Sequence, residues 1–241
     1  MLSYLKKPNF PTQFLWPHEG LASAAGADKL EDPPIDLNGF LNGDEEATRL
    51  AAARIRTASL KYGFFQVVNH GVDASLTRAV QQHMDAFFNL PLNTKLATAK
   101  KPAYLCGYSG AHADRFLSKL PWKETFSFVH EYASDDVVSH VKSVLGQDFE
   151  EAGLIYQKYC EAMKELSLAI LELLAMILGV ERLHYRKFFE DGSSIMRGNH
   201  YPPCKEAGLT LGTGPHCDPT SLTTLHQDQV SGLQIFFDGK W

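Results

Sequence analysis

Ser194-Ile195-Met196-Arg197-Gly198-Asn199-His200-Tyr201-Pro202-Pro203-Cys204, followed by Gly212-Thr213-Gly214-Pro215-His216-Cys217-Asp218-Pro219-Thr220-Ser221-Leu222, decides how the chain reads. The first part predicts a strand over residues 194–201, with a double proline giving it a stiff exit. The second part holds a His-x-Asp pair. Two positions apart on extended backbone, His216 and Asp218 project to one face, where an imidazole and a carboxylate bind one borderline metal together. The pair supplies two thirds of a 2-His-1-carboxylate triad, which holds Fe(II) on one face and leaves positions open for a cosubstrate and oxygen. Its plainer alternative is an exposed turn with a His-Asp contact. Alternation likewise puts Asn199 and Tyr201 on one face, an amide and a phenol suited to a carboxylate beside the metal, against the alternative of a buried tyrosine satisfied by backbone.

Beyond this stretch, short strand-like runs continue at residues 209–212, 222–227 and 233–237, separated by Pro and Gly turns. Upstream, a long helix is predicted over residues 149–178, ended by Gly179, with Ile155, Tyr159, Met163, Leu166, Ile170, Leu173, Leu174 and Ile177 on one side. Residues 1–32 mix prolines, glycines and aromatics without a period and read as an arm lying on the body. A short strand is expected at residues 33–37. A helix follows at residues 45–61, capped by Asp44 and ended by Gly63, then a strand at 64–68. A second helix carries Leu76, Val80, His83, Met84 and Phe87 at helical spacing and closes by Pro91. Residues 102–121 read as an ordered loop region before a strand at 125–130. Four segments result: an arm at 1–32, a domain at 33–140, the long helix with its connections at 141–190, and a strand-rich part at 191–241.

The 241 residues are 44% hydrophobic, enough to bury a core, and carry a formal charge of −5. With no Lys/Arg block and no aromatic-basic stripe, nucleic acid and anionic membranes are not expected partners. Cys106, Cys160, Cys204 and Cys217 form no CxxC and no zinc spacing, and no secretory signal is evident, so reduced thiols and a cytoplasmic location are expected. The most apolar run, residues 166–178, is interrupted by Glu172 and falls short of the roughly 20 residues a membrane span needs.

Lys119-Leu120-Pro121-Trp122-Lys123-Glu124-Thr125 wedges a tryptophan between a proline and charges ahead of a strand; its chemistry alone reads as surface packing with a Lys-Glu pair. His83 reads as a core histidine, His70 as part of a turn, and His226 as part of a strand leaving the site. Arg197 is a candidate partner for a substrate carboxylate, with structural ion pairing the plainer assignment.

Taken together, these residues resemble the plant 2-oxoglutarate and Fe(II)-dependent dioxygenases. Gly63-Phe64-Phe65-Gln66-Val67-Val68-Asn69-His70-Gly71 is similar to the signature of their N-terminal domain, residues 199–204 to their NYYPPC motif, and His216 and Asp218 to their first two iron ligands. Within that family the gibberellin 20-oxidases share motifs resembling residues 11–17, 120–125 and 211–222. The resemblance implies an α+β fold, a distorted double-stranded β-helix (jelly roll) with a helical N-terminal region and its last strands missing. It further implies Fe(II) on His216 and Asp218, 2-oxoglutarate near Asn199 and Tyr201, a diterpenoid acid near Leu120, Pro121, Trp122, Lys123, Glu124 and Thr125, O2 as co-reactant and ascorbate as reductant. The implied reaction is successive oxidation at carbon 20 of a gibberellin precursor, by a protein monomeric at full length. A related plant oxygenase, or a non-catalytic binding product, is the alternative.

Two features of the family's pattern have no counterpart in these residues: the distal iron-binding histidine and the arginine of an RxS motif. The chain as given is therefore expected to lack turnover and, with unpaired strand edges, to be poorly soluble. Gly198 and His200 stand where the subfamily usually has Cys and Tyr. His200 is expected to point away from Tyr201 and to affect packing alone.

Overall fold

The computed structural model describes residues 10–16, 29–101, 105–110, 119–131, 136–206 and 208–241. Helix α1 (Asn38–Leu41) follows strand β1 (Ile35–Asp36), which pairs in parallel with β2 (Val67–Val68). Between them lies α2 (Glu45–Tyr62), where the Asp44 carboxylate accepts from the Glu46 and Ala47 amides and Gly63 turns the chain out at φ 65°. These are the caps the sequence implied. In α3 (Ala74–Phe88), Asp73 caps the Ser75 amide. That helix ends at Phe88, before Pro91, which instead opens the short helix α4 (Leu92–Ala97).

Strands β3 (Gly107–Ser109), β4 (Glu124–His130) and β5 (Ser194–His200) form an antiparallel sheet in that order. After β4 come α5 (Asp136–Leu145), α6 (Glu150–Ile177) and α7 (His184–Phe189). At 28 residues, α6 is about 42 Å long, and its two halves serve different cores. Its N-terminal half places Ala152, Tyr156 and Cys160 against α3, α5 and the sheet residues Tyr108, Phe126 and Phe128. Its C-terminal half places Leu166, Ala169, Ile170 and Leu173 against Ile35, Leu37, Phe40 and Ile55.

Three predicted strands are corrected. Residues 209–212, 222–227 and 233–237 form no ladder; the last contributes only an isolated bridge from Phe237 to Lys240. Alternating side chains make a segment compatible with a strand, but a strand exists only where backbone groups find a partner. Among the described residues β5 pairs with β4 alone. The strand predicted at 64–68 shortens to two residues for the same reason, since β1 offers only two partners. Helix α5 was not anticipated; its Val137 and Val141 are β-branched, which weakens a helical signature, yet both are fully buried in the first core. The expected arm at residues 1–32 is described only in part, and residues 10–16 do lie on the body. The loop region predicted at residues 102–121, of which 102–104 and 111–118 lie outside the described set, is corrected at Gly107–Ser109: those residues form β3, whose backbone pairs with β4 although three residues are too few to show a period.

Candidate metal centre

Register in the sheet sorts the functional side chains by face. Glu124, Phe126 and Phe128 face His200, Gly198 and Met196 across the β4–β5 ladder, on the side packed against α3. Gly198 belongs there because a Cβ would come within 2.7 Å of the Met84 sulfur. His200 stacks on Phe88 at 5.1 Å and 18°, turned away from Tyr201 as expected, so its effect is one of packing. Thr125 pairs with Asn199 on the opposite face, where Asn199 and Arg197 are exposed. Tyr201 continues this alternation and is half exposed. No carboxylate among the described residues pairs with Arg197, contrary to the structural role that sequence reasoning favoured.

The Tyr201 ring lies directly on Gly212: a Cβ at that glycine would sit 2.6 Å from the ring. This contact joins the Asn-His-Tyr-Pro-Pro segment to the loop that carries the His-x-Asp pair. In that loop the His216 Nδ1 is 2.8 Å from the Gly214 carbonyl oxygen. A carbonyl only accepts, so Nδ1 carries the proton and the lone pair lies on Nε2. Nε2 is 3.4 Å from Asp218 Oδ1, and the two side chains are 34% and 45% exposed. A metal-binding histidine holds its other nitrogen in this way. The pair fits two positions of an Fe(II) site, and the convergence read from the His-x-Asp spacing is present without a strand. Among the described residues no third His, Cys, Asp or Glu joins it.

Residues 120–125 are built into this region more deeply than surface packing would allow. Trp122 is 4% exposed; its indole N–H donates to the Pro202 carbonyl at 2.9 Å, and its amide to the Leu211 carbonyl at 2.8 Å. Lys123 Nζ donates to Thr213 Oγ1 at 3.3 Å. Glu124 does not pair with its neighbour Lys123 but with Lys95 of α4, at 2.7 Å with both side chains buried, and Lys95 Nζ also donates to the Phe88 carbonyl. The segment therefore touches both halves of the candidate site, with Leu120, Lys123 and Thr125 only half buried. Sequence reasoning missed Lys95: a lone lysine in a short amphipathic helix carries no local sign that its partner lies 29 residues on.

Away from the centre, the His70 Nδ1 accepts from the Val72 amide within its turn. His83 is half buried, edge-on to Tyr156. The four cysteines are free. No helix among the described residues is long and apolar enough to cross a membrane.

Residues 33–147 match the family described as non-haem dioxygenase in morphine synthesis N-terminal, and residues 192–241 match the 2OG-Fe(II) oxygenase superfamily. The chain belongs to the 2OG-Fe(II) oxygenases, and its helices and partial sheet are those of their jelly-roll fold. Gibberellin 20 oxidases are among its relatives within that class. Gibberellin 20 oxidase 2 of Oryza sativa subsp. indica is 54% identical over 237 residues, an alignment covering 98% of this chain and 61% of the relative. Gibberellin 20 oxidase 3 of Arabidopsis thaliana is 50% identical, with 97% and 62% covered. The crystal structure of JOX2 in complex with 2OG, Fe and JA superposes with a TM-score of 0.68 at 27% identity, covering 90% of this chain and 60% of that one. The chain thus spans less than two thirds of the length of these relatives.

Proposed function

We propose that the chain serves gibberellin 20-oxidase chemistry: successive oxidation at carbon 20 of a gibberellin precursor, coupled to decarboxylation of 2-oxoglutarate. His216 Nε2 and the Asp218 carboxylate hold Fe(II). Asn199 and Tyr201 lie beside 2-oxoglutarate and hydrogen-bond it. The half-buried Leu120, Lys123 and Thr125 line the substrate side, while Pro121, Trp122 and Glu124 fix that segment from behind. Arg197 gives the open sheet face a cation for an acidic substrate. When bound between His216 and Asp218, Fe(II) would supply the redox chemistry that converts 2-oxoglutarate and O2 to succinate and CO2 and places the second oxygen atom in a substrate C–H bond, with ascorbate keeping the metal reduced.

One observation carries this reading. The His216–Asp218 pair, with Nδ1 held by a backbone carbonyl and Nε2 turned toward the carboxylate, lies in the loop that Gly212 packs onto Tyr201. The relatives' names supply the substrate class.

Titration with Co(II), a redox-stable stand-in for Fe(II), is the direct test. His216→Ala and Asp218→Asn should each weaken binding at least tenfold, roughly 1.4 kcal/mol. Binding indifferent to both substitutions would overturn the assignment. Product mass spectrometry with Fe(II), 2-oxoglutarate, ascorbate and a gibberellin precursor tests the reaction: oxidation at carbon 20 supports it, and attack elsewhere points to a neighbouring oxygenase. Succinate release by these 241 residues would overturn the expectation of an inactive chain.

A further inference from the structure

The loop carrying His216 and Asp218 has no sheet partner among the described residues, yet it is not held by its own turns alone. Besides the bond from Lys123 to Thr213, it is attached through two tryptophan amides remote in sequence. The Trp16 amide donates to the Leu209 carbonyl at 2.9 Å, and the Trp122 amide to the Leu211 carbonyl at 2.8 Å. These two donors are themselves tied together: the Leu120 amide donates to the Gln13 carbonyl at 2.9 Å, and the Trp16 indole to the Leu120 carbonyl at 3.3 Å. A small aromatic core lies beneath them. Phe14 is fully buried and meets Trp122 edge-on at 5.0 Å, Phe10 stacks on Trp122 at 5.2 Å, and Cys204 packs alongside.

We propose that residues 10–16 form a strap that positions the metal-donor loop, with Phe14 and Trp122 as positioning residues. The strap sets where Leu209 and Leu211 sit; Leu211 is adjacent to Gly212, and Gly212 seats the Tyr201 ring. Displacing Phe14 therefore frees Trp122, then Leu211, then the segment leading to His216. Phe14 and Trp122 act by holding backbone. The consequence for metal binding rests on the function proposed above. The mechanical coupling does not.

Backbone 15N relaxation on the 241-residue chain separates the two. In Phe14→Ala, order parameters over residues 211–218 should fall from the rigid range near about 0.85 to below about 0.6, while those of α2 and α6 stay unchanged. Ile55→Ala, a cavity of comparable depth in the second core, should leave residues 211–218 rigid. Trp122→Phe keeps an aromatic ring, though a smaller one, and deletes the bond to Pro202, and should loosen residues 201–218 less than Phe14→Ala does. Unchanged order parameters over 211–218 in Phe14→Ala, or an equal loss in Ile55→Ala, would overturn the strap. Co(II) titration of the same proteins should show at least a tenfold loss for Phe14→Ala and none for Ile55→Ala. If the unsubstituted chain binds no Co(II), the metal assignment fails while the relaxation result still decides the strap.

Discussion

At the scale of single residues, the candidate centre depends on an absence. Gly212 has no side chain where the Tyr201 ring lies, and a methyl group there would overlap ring carbons at 2.6 and 2.7 Å. Because Tyr201 is half exposed, the ring has room to swing away, so Gly212→Ala should cost about 1 kcal/mol of stability, the low end for overpacking. Its larger effect falls on the site: 2-oxoglutarate affinity, measured by calorimetry with Co(II) present, should drop roughly tenfold as the phenol leaves its place. Arg197 permits a sharper test. Arg197→Gln should weaken binding of a gibberellin acid by about 1 kcal/mol, a modest figure because the guanidinium is solvent-screened, and leave binding of the corresponding methyl ester unchanged. Equal losses for acid and ester would remove Arg197 from the proposal. The His-x-Asp spacing and the alternation of Asn199, His200 and Tyr201 were legible because each depends only on local backbone period. The contact of Tyr201 with Gly212 was not, since ten residues lie between them and no local rule folds that loop back.

Among the elements, helices were legible where caps and apolar period agreed, as in α2 with Asp44 and Gly63 and in α6 with Gly179. The strands after Tyr201 were misread because alternation reports a face and not a partner. The start of β4 shows a further limit, since Lys123-Glu124 looks like a surface ion pair and is split between two environments. Lys123 reaches Thr213, while Glu124 is buried against Lys95 beneath the sheet. Removing one partner of such a pair leaves an uncompensated buried charge, which typically costs about 3–5 kcal/mol, whereas replacing both by apolar groups is often neutral. Lys95→Met should therefore lower the urea unfolding midpoint sharply, and Lys95→Met combined with Glu124→Leu should recover most of the loss. A double variant no better than the single would mean that the charges themselves, and not their balance, hold α4 against β4. The Phe88 carbonyl, which also accepts from Lys95, loses that donor in both variants and keeps the rescue from being complete.

Over the whole molecule, α6 is, among the described residues, the one element common to both larger cores, and its N-terminal half packs against the three-stranded sheet. Two tyrosines lie fully buried in that first core, Tyr108 on β3 and Tyr156 on α6. Burial pushes both phenols well above their ordinary value near 10; at Tyr108 the charge of Glu124 adds to the effect. The sign follows from which state gives up a proton first. Below pH 10 both phenols are neutral whether the chain is folded or not, and their contribution is fully present. Above pH 10 the unfolded chain ionises them while the folded chain does not, so unfolding releases protons and stability declines as pH rises toward the folded values. Each tyrosine should contribute a slope of about 1.4 kcal/mol per pH unit across that window. Tyr159 and Tyr201 are raised by burial as well and add to the decline; Tyr156→Phe removes one contribution without removing the ring that packs against Phe128. Urea unfolding between pH 9 and 11.5 is the measurement. The unsubstituted chain should lose stability steeply above pH 10, and Tyr156→Phe measurably less steeply, with the two curves converging below pH 9.5 apart from a constant offset. Parallel curves across the whole range would mean that Tyr156 ionises equally in both states, and hence that the α6 side of the first core admits water.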